Sequence, residues 1–452
     1  MITLEDCKKA FTIHQAALII SNKIAFDKAK GFSTSWDGQT YWDFAGNLGE
    51  IIESIDIDSY EFQPCFLRLK RVKTKTRKLF ISTWQDKIME AWLSACLNKL
   101  LSNWLARESY AYRIGKIGVD QCQRRAIEAM KKSRYVAKRD ISSFFYTIDH
   151  QVLIDQLSGI LDEQLLSLVK QRVVFEYYDD DELKVADIGL PFGSPIACVL
   201  SNINLTAIDK AIASCPIYYF RYADDFLIAG NDADEVILAA GQLSQMLGGI
   251  NLRLNDRKSD NFSFDKHEHF RLVNRFKYLG LEYWNNGVVR LPVEKRRKIV
   301  NIFKRAINAI DTKLRKIESV EERLALVVGQ ANYAVQKRIR YAAIIDYYLK
   351  HVEDEEQLRS MDMEIARLVI SAVLDKPFRK KDFKTIPYKR LRELGLISLV
   401  HRNRLHRHGH LHVPFLSLYN SVLFERYQET IERRKKRIDQ VRLARKLKSD
   451  LR

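Results

Sequence analysis

The residues best placed to do chemistry are two adjacent acids, Asp224 and Asp225, in the run Tyr222-Ala223-Asp224-Asp225. An apolar, aromatic-rich stretch from Ile217 precedes them, and Phe226-Leu227-Ile228 follows. A sticky run, a polar break and a second sticky run read as strand, tight turn, strand, with the carboxylates at the hairpin tip. Two like charges held so close raise each other's pKa and cost stability unless a cation sits with them. The turn holds no His or Cys, so the ion it suits is hard and oxygen-loving, Mg²⁺ or Mn²⁺. An ordinary solvated Asp-Asp hairpin has the same residues, and other segments must decide between the two readings.

Tyr135-Val136-Ala137-Lys138-Arg139-Asp140 is a short strand ending in an acid, followed by Ile141 and the aromatics Phe144 and Phe145. A catalytic pair of divalent ions needs oxygen ligands from more than one segment, and Asp140, helped by the Ile141 carbonyl, is the natural partner of the turn acids. In Gly189-Leu190-Pro191-Phe192-Gly193-Ser194-Pro195, glycines and prolines shape a loop whose backbone can approach a ligand. The helix that follows is expected to present the Asn202 amide toward the same pocket. From Phe66 to Ile81 there are seven cations and no acid, a hairpin-like ribbon able to grip a triphosphate or backbone phosphates. Lys258 lies in the polar stretch after Leu254-Asn255, and Gly280 marks the bend between two strand signals, Phe276–Tyr283. The four acids Asp179 to Glu182 read as a solvated hairpin tip rather than a metal site.

Helical spacing of apolar residues predicts the scaffold that must hold these segments: Leu4 to Ile20, Trp84 to Trp104, Gln121 to Lys132, Glu235 to Leu247, and a separate bundle from Val293 to Leu374. Lys376 to Arg390 reads as a basic, Pro-marked linker. A length of 452 residues allows several units, each with its own core. The net charge of +18 favours a polyanionic partner, nucleic acid by default. Six scattered cysteines without a Cys-x-x-Cys pair read as buried apolar residues of a reducing compartment. With neither a signal-like start nor a long uninterrupted apolar run, the expected location is cytoplasmic, with no membrane partner. Half of the ten histidines fall between His401 and His412 among arginines that would repel a metal, so contact with RNA or protein is favoured there. Ile431 to Arg452, with ten Lys or Arg and three acids, reads as a basic helix against nucleic acid.

In this order, five blocks over roughly residues 66 to 285 resemble the reverse transcriptases. They are Asp140 to Phe145, Gly189 to Asn202, Tyr222-Ala223-Asp224-Asp225, Leu254-Asn255 with Lys258, and Phe276 to Gly280. The resemblance implies an α+β fold shaped as a right-hand polymerase. Its parts would be an N-terminal extension (1–60), fingers (61–139), a palm with an antiparallel sheet (140–290), a helical thumb (291–375) and a basic helical C-terminal region (376–452). It implies an RNA-directed DNA polymerase in which Asp140, Asp224 and Asp225, with the Ile141 carbonyl, hold two Mg²⁺ or Mn²⁺ ions. Lys258 would serve as general acid. Lys70 and Arg77 would clamp the triphosphate, Phe145 would crowd a ribose 2′-hydroxyl and so favour dNTPs, and Phe192, Gly193 and Asn202 would line the nucleotide. Tyr222, Ala223, Tyr278, Leu279 and Gly280 would face primer and template.

The chain departs from that family at Phe192, where most members carry Gln in Pro-Gln-Gly. Its size, that departure and its basic C-terminus resemble the bacterial defence-associated and abortive-infection reverse transcriptases. The implied partners are an RNA, as template or as a cognate noncoding RNA, a DNA product and dNTPs, with self-association or an accessory protein left open. Two other readings stay open at this point: template-independent or protein-primed synthesis by the same site, and an RNA-binding, maturase-like scaffold.

Overall fold

The computed structural model describes residues 1–27, 47–72, 75–113, 118–336 and 345–409. Two compact units meet in sequence between Leu272 and Val273.

The first unit is built on a five-stranded sheet in the order Tyr218–Tyr222, Asp225–Gly230, Tyr135–Asp140, Asp260–Ser263, Arg271–Leu272. All neighbours are antiparallel except the last pair. Phe226, Leu227, Ile228 and Ala229 are completely buried, as expected of a strand with partners on both edges and apolar side chains on both faces. Residues 218–230 turn back in two residues, Ala223 and Asp224, with Ala223 in the left-handed region at φ 58°. A tight hairpin turn requires such a conformation, and a non-glycine residue there is strained unless its surroundings hold it.

What holds it is a buried polar cluster on the far face of the same hairpin. The helix Pro195–Ala213 packs against strand Tyr218–Tyr222 and presents Asn202 and Asp209, both fully buried. Arg221, also fully buried, donates through Nε to Asp209 Oδ1 (2.7 Å) and through Nη2 to Asp209 Oδ2. Its Nη1 reaches Asn202 Oδ1 (3.0 Å) and the Ala223 carbonyl (3.1 Å), and Nη2 also reaches Ser109 Oγ (2.8 Å). Tyr219 donates to Asp209 at 2.6 Å. The ion pair thus grips the turn residue's own carbonyl. By length and composition the helix could cross a bilayer, but 72% of its apolar window is buried inside the protein, where it is a core helix.

A second, four-stranded sheet carries the basic ribbon, in the order Lys75–Ile81, Cys65–Val72, Glu176–Asp179, Glu182–Val185. Lys70 and Arg77 are direct cross-strand partners, so their side chains share one face. The exit of the ribbon is fixed by fully buried charges. Arg172 meets Asp86 and Glu90 at 3.0 Å each, Tyr60 donates to Asp86, and Ser82 donates to Glu90. The acidic run 179–182 is a hairpin tip whose Asp179 and Glu182 pair with Lys184, in line with a solvated turn.

The second unit pairs the strands Arg275–Tyr278, Leu281–Trp284 and Val289–Arg290 with helices Val293–Asn308, Val320–Gln336, Glu355–Leu374 and Leu399–Arg407. The hairpin 275–284 belongs to the same compact unit as these helices, the division between units falling just before it. The expected helix from Leu4 breaks at Phe11, giving Leu4–Ala10 and Ile13–Asp27, because Thr3 caps the first and Phe11 is extended. The expected linker 376–390 contains two short helices, Asp382–Thr385 and Tyr388–Glu393. The described part of the His/Arg-rich stretch is spent on internal contacts: Arg402 and His406 meet Asp346, Arg404 meets Glu355, and Asn403 is fully buried. His410, His412 and the basic segment 431–452 lie outside the described residues.

Removing Asp209 leaves a buried guanidinium uncompensated, which costs about 3–5 kcal/mol. Asp209→Ala is therefore expected to lower the unfolding free energy of the first unit, measured by urea titration, by that order, while Arg221→Met combined with Asp209→Leu recovers most of the loss. No recovery in the double variant would mean that packing, not the orphaned charge, is responsible.

Candidate active site

Strand register brings the acids together. Asp140 is the direct cross-strand partner of Asp225, with the Ile141 N–H donating to the Asp224 carbonyl at 3.1 Å. Directly opposed residues have Cβ atoms about 4.5–5.5 Å apart and share a face. Asp140 and Asp225 therefore present carboxylates on the same surface, with Asp224 one residue earlier on the turn.

The loop 252–258 is stitched to the end of strand Tyr135–Asp140. Ser142 N–H donates to the Arg253 carbonyl (2.9 Å), and Asn255 N–H donates to the Asp140 carbonyl (2.7 Å). This places Lys258 Nζ 2.7 Å from both oxygens of Asp140, which is itself only 6% exposed. Lys138, two residues before Asp140 and on the same face, points its ammonium at Asp225 Oδ1, 3.4 Å away. That oxygen is buried, and the Lys138 ammonium is the charge that faces it. Burial pushes the Asp225 carboxyl up to about 6, an effect that Lys138 only partly opposes. Asp224 is raised as well, first by burial and then by the charge of Asp140.

Two raised carboxyls and a third acid in register with one of them form a group of the kind an oxygen-seeking cation would fit. The donor set is all oxygen and suits a hard divalent ion. Among the described residues, no three or more His, Cys, Asp and Glu side chains are gathered as a ready-made metal cage, so the acids here are neighbours in register, two of them faced by lysines.

The second expected motif lies against the first. Gly189 N–H donates to the Ile148 carbonyl and Leu190 N–H to the Phe145 carbonyl, at 2.8 and 2.7 Å. A Cβ on Gly189 would fall 2.8 Å from the Tyr146 Cα, so the close backbone approach expected of this loop is to the chain's own residues 145–148. The Phe192 carbonyl accepts from Phe80 N–H on the edge of the basic ribbon, and Gly193, at φ 117°, continues past it. The Phe192 ring lies 5.3 Å from Phe145 and 5.7 Å from Tyr146, with the Arg77 guanidinium 5.7 Å above it. Phe192, Phe145 and Arg77 thus form one wall.

Two expected contacts are corrected. Asn202 accepts from Arg221 and Ser109 and donates to the Ala111 carbonyl, so its amide is consumed beneath the site instead of facing a nucleotide. Tyr278 is 1% exposed and anchors its hairpin, so what that hairpin presents is the turn Leu279-Gly280, with both residues at positive φ. Tyr222 is half-buried on the acids' face and Ala223 is nearly buried in the turn. Lys138 and Tyr112 were not expected here. Lys138 was legible as the cation two positions before the strand-end acid, whereas no periodicity marks Tyr112, whose ring meets Phe145 at 6.1 Å.

A carboxyl raised from 3.8 toward 6 prefers its neutral form in the folded chain. Its ionisation opposes folding at pH above about 6, and this penalty is absent below about pH 4. Without divalent ions, Asp225→Asn should therefore stabilise the chain by about 1–3 kcal/mol near pH 8 and by nothing near pH 4. Equal melting temperatures for variant and parent near pH 8 would contradict the buried, ill-matched carboxylate.

Comparison with known proteins supports the same region. Residues 69–283 match the model of the family described as reverse transcriptase (RNA-dependent DNA polymerase). Protein YkfC of Escherichia coli K12 is 23% identical, covering 49% of this chain and 69% of that protein. The retron Ec83 reverse transcriptase of Escherichia coli is 27% identical over 38% of this chain and 55% of its own. A 91 kDa protein encoded in the cob intron of Schizosaccharomyces pombe is 25% identical over 36% of this chain, which spans only 21% of that relative. Among solved structures, apo telomerase from Candida tropicalis aligns over 87% of this chain and 74% of its own at 12% identity, with a TM-score of 0.43. The sheet that sets Asp140 beside Asp225, the turn Asp224-Asp225 and the loop that delivers Lys258 all fall inside the segment, residues 69–283, that is similar to the reverse transcriptase family.

Proposed function

We propose that the chain is an RNA-directed DNA polymerase that joins deoxynucleotides by two-metal phosphoryl transfer. The observation that carries this reading is the in-register placement of Asp140 beside Asp225 with Asp224 on the adjoining turn. In this reading Asp140, Asp224 and Asp225, with the Ile141 carbonyl, hold a pair of Mg²⁺ ions. A pair of divalent ions held by these residues would make the primer 3′-hydroxyl more acidic and neutralise charge on the leaving pyrophosphate. Lys70 and Arg77, opposed on their ribbon, bind triphosphate oxygens as charge-assisted donors. Phe145 stands against the sugar and disfavours a 2′-hydroxyl. Lys258, whose ammonium here pairs with both Asp140 oxygens, serves in this reading as the proton donor to the departing pyrophosphate.

The +18 charge supports an RNA partner, bound chiefly through its phosphates, and the retron enzyme among the relatives belongs to a class of bacterial reverse transcriptases. We place the chain in a bacterial anti-phage system working with a cognate noncoding RNA. This assignment rests on the resemblance of its motifs and basic C-terminus to the defence-associated enzymes.

Purified chain given an RNA template, an annealed DNA primer, Mg²⁺ and dNTPs should extend the primer with the complement of the template. Asp140→Asn or Asp224→Asn should lower the rate by about a hundredfold or more, the order expected when an ion that supplies several kcal/mol is displaced. Extension that ignores template sequence would replace the RNA-directed reading with template-independent synthesis, and extension that survives both substitutions would remove the metal assignment.

A further inference from the structure

Tyr112 is out of place on ordinary conformational grounds. It is a bulky residue in the left-handed region, at φ 59°, where such residues rarely sit and where strain tends to mark functional positions. Nothing about a turn requires a tyrosine, since Gly or Asn would take this conformation more easily. The strain is nevertheless enforced. Ser109 bridges to Arg221 alongside the catalytic hairpin, Tyr110 N–H donates to the Arg221 carbonyl (2.9 Å), and Asn202 Nδ2 donates to the Ala111 carbonyl (2.9 Å). Arg113 then closes the loop onto the carbonyls of Ala106 and Ser102, both at 2.8 Å. The cluster that steadies the Asp224-Asp225 turn therefore also aims residue 112.

The ring it aims is not core. Tyr112 is 39% exposed, yet its edge packs against Phe145, with centroids 6.1 Å apart and planes at 71°. Phe145 is itself held on another side by Phe192 at 5.3 Å and by Phe144 at 5.4 Å. Burial raises the pKa of the Tyr112 hydroxyl, and the charges of Cys198, Asp224 and Tyr222 raise it further. Tyr112 thus stands between the sugar-facing aromatic and the turn acids, with one face open.

From this placement, and resting on the polymerase reading above, we infer that Tyr112 is a positioning residue for sugar selection. Its ring buttresses Phe145 so that Phe145 cannot swing away from a ribose 2′-hydroxyl. Phe145 alone can rotate about its side-chain bonds; wedged between Tyr112 and Phe192 it cannot, and a rigid wall discriminates where a mobile one yields. The wedge requires the tyrosine's aromatic edge but not its hydroxyl.

The test measures the ratio of dNTP to rNTP incorporation, each as kcat/KM, by primer extension with the full chain. Tyr112→Gly is the informative variant because glycine accepts the left-handed backbone, so the loop should keep its course while loss of the ring's packing lowers the melting temperature only modestly. The expected result is a fall in the ratio of about three- to tenfold, the range set by the strength of a single aromatic pair. Tyr112→Phe should restore the parental ratio, and Phe145→Ala should lower it at least as far as Tyr112→Gly does. A parallel change in both nucleotides that leaves the ratio unmoved overturns the inference, as does Tyr112→Phe behaving like Tyr112→Gly. A parent chain that extends with neither nucleotide overturns the polymerase reading and this inference with it, whereas an active parent with an unmoved ratio overturns the inference alone.

Discussion

Backbone pairing between Tyr135–Asp140 and Asp225–Gly230 forces two carboxylates side by side, and neither can leave without breaking a ladder six residue pairs long. In water the two charges would drift apart. Here burial raises the pKa of Asp225 to about 6, with the charges of Asp140 and Asp224 adding to the effect, so the fold sustains an electrostatic conflict that a divalent cation would relieve. Lys138 and Lys258 offset part of it by facing Asp225 and Asp140 respectively. A protein selected only for stability would have no reason to keep such an arrangement.

The conflict is sustainable because the opposite face of the same hairpin is unusually well tied. Alternation along Tyr218–Tyr222 sends Tyr219 and Arg221 toward the helix Pro195–Ala213, while Tyr222 shares the acids' face. Buried ion pairs add little net stability, but this one spends its donors on fixing geometry: the Ala223 carbonyl, Asn202, Ser109 and Asp209 are all bound by one guanidinium. One cluster thereby sets the acid turn, the position of the core helix and the loop that ends at Tyr112. The chemistry lies on one side of the sheet, and the rigidity it needs is supplied from the other.

Much of this was legible in the sequence. The acid turn, the strand ending in Asp140 and the basic ribbon stood out because each breaks an apolar or alternating pattern in a way that chemistry explains, and their order carried the resemblance to reverse transcriptases. The helices Trp84–Leu100 and Ala233–Gly249 followed from spacing. What was not legible depends on contacts between distant segments. Asn202 looked like a pocket residue because helical phase gives a direction but not what lies there, and what lies there is Arg221. A clue existed, since Arg221 and Asp209 are each charges inside apolar runs, and such charges must find a partner. Tyr278 was misread for a related reason: the residue before a turn glycine can point inward or outward, and here it is buried. Tyr112 gave no signal, because its importance comes from a backbone conformation and a neighbour 33 positions away.

The central claim is that Asp140 and the two turn acids form a single cation site. Titration of the purified chain with Mn²⁺ in the presence of a dNTP, followed by electron paramagnetic resonance, tests it most directly. The account predicts a pair of tightly held ions in the parent and loss of at least one in Asp140→Asn, although that residue lies far from the turn in sequence. Mn²⁺ binding identical in the two proteins, or none in the parent, would contradict it.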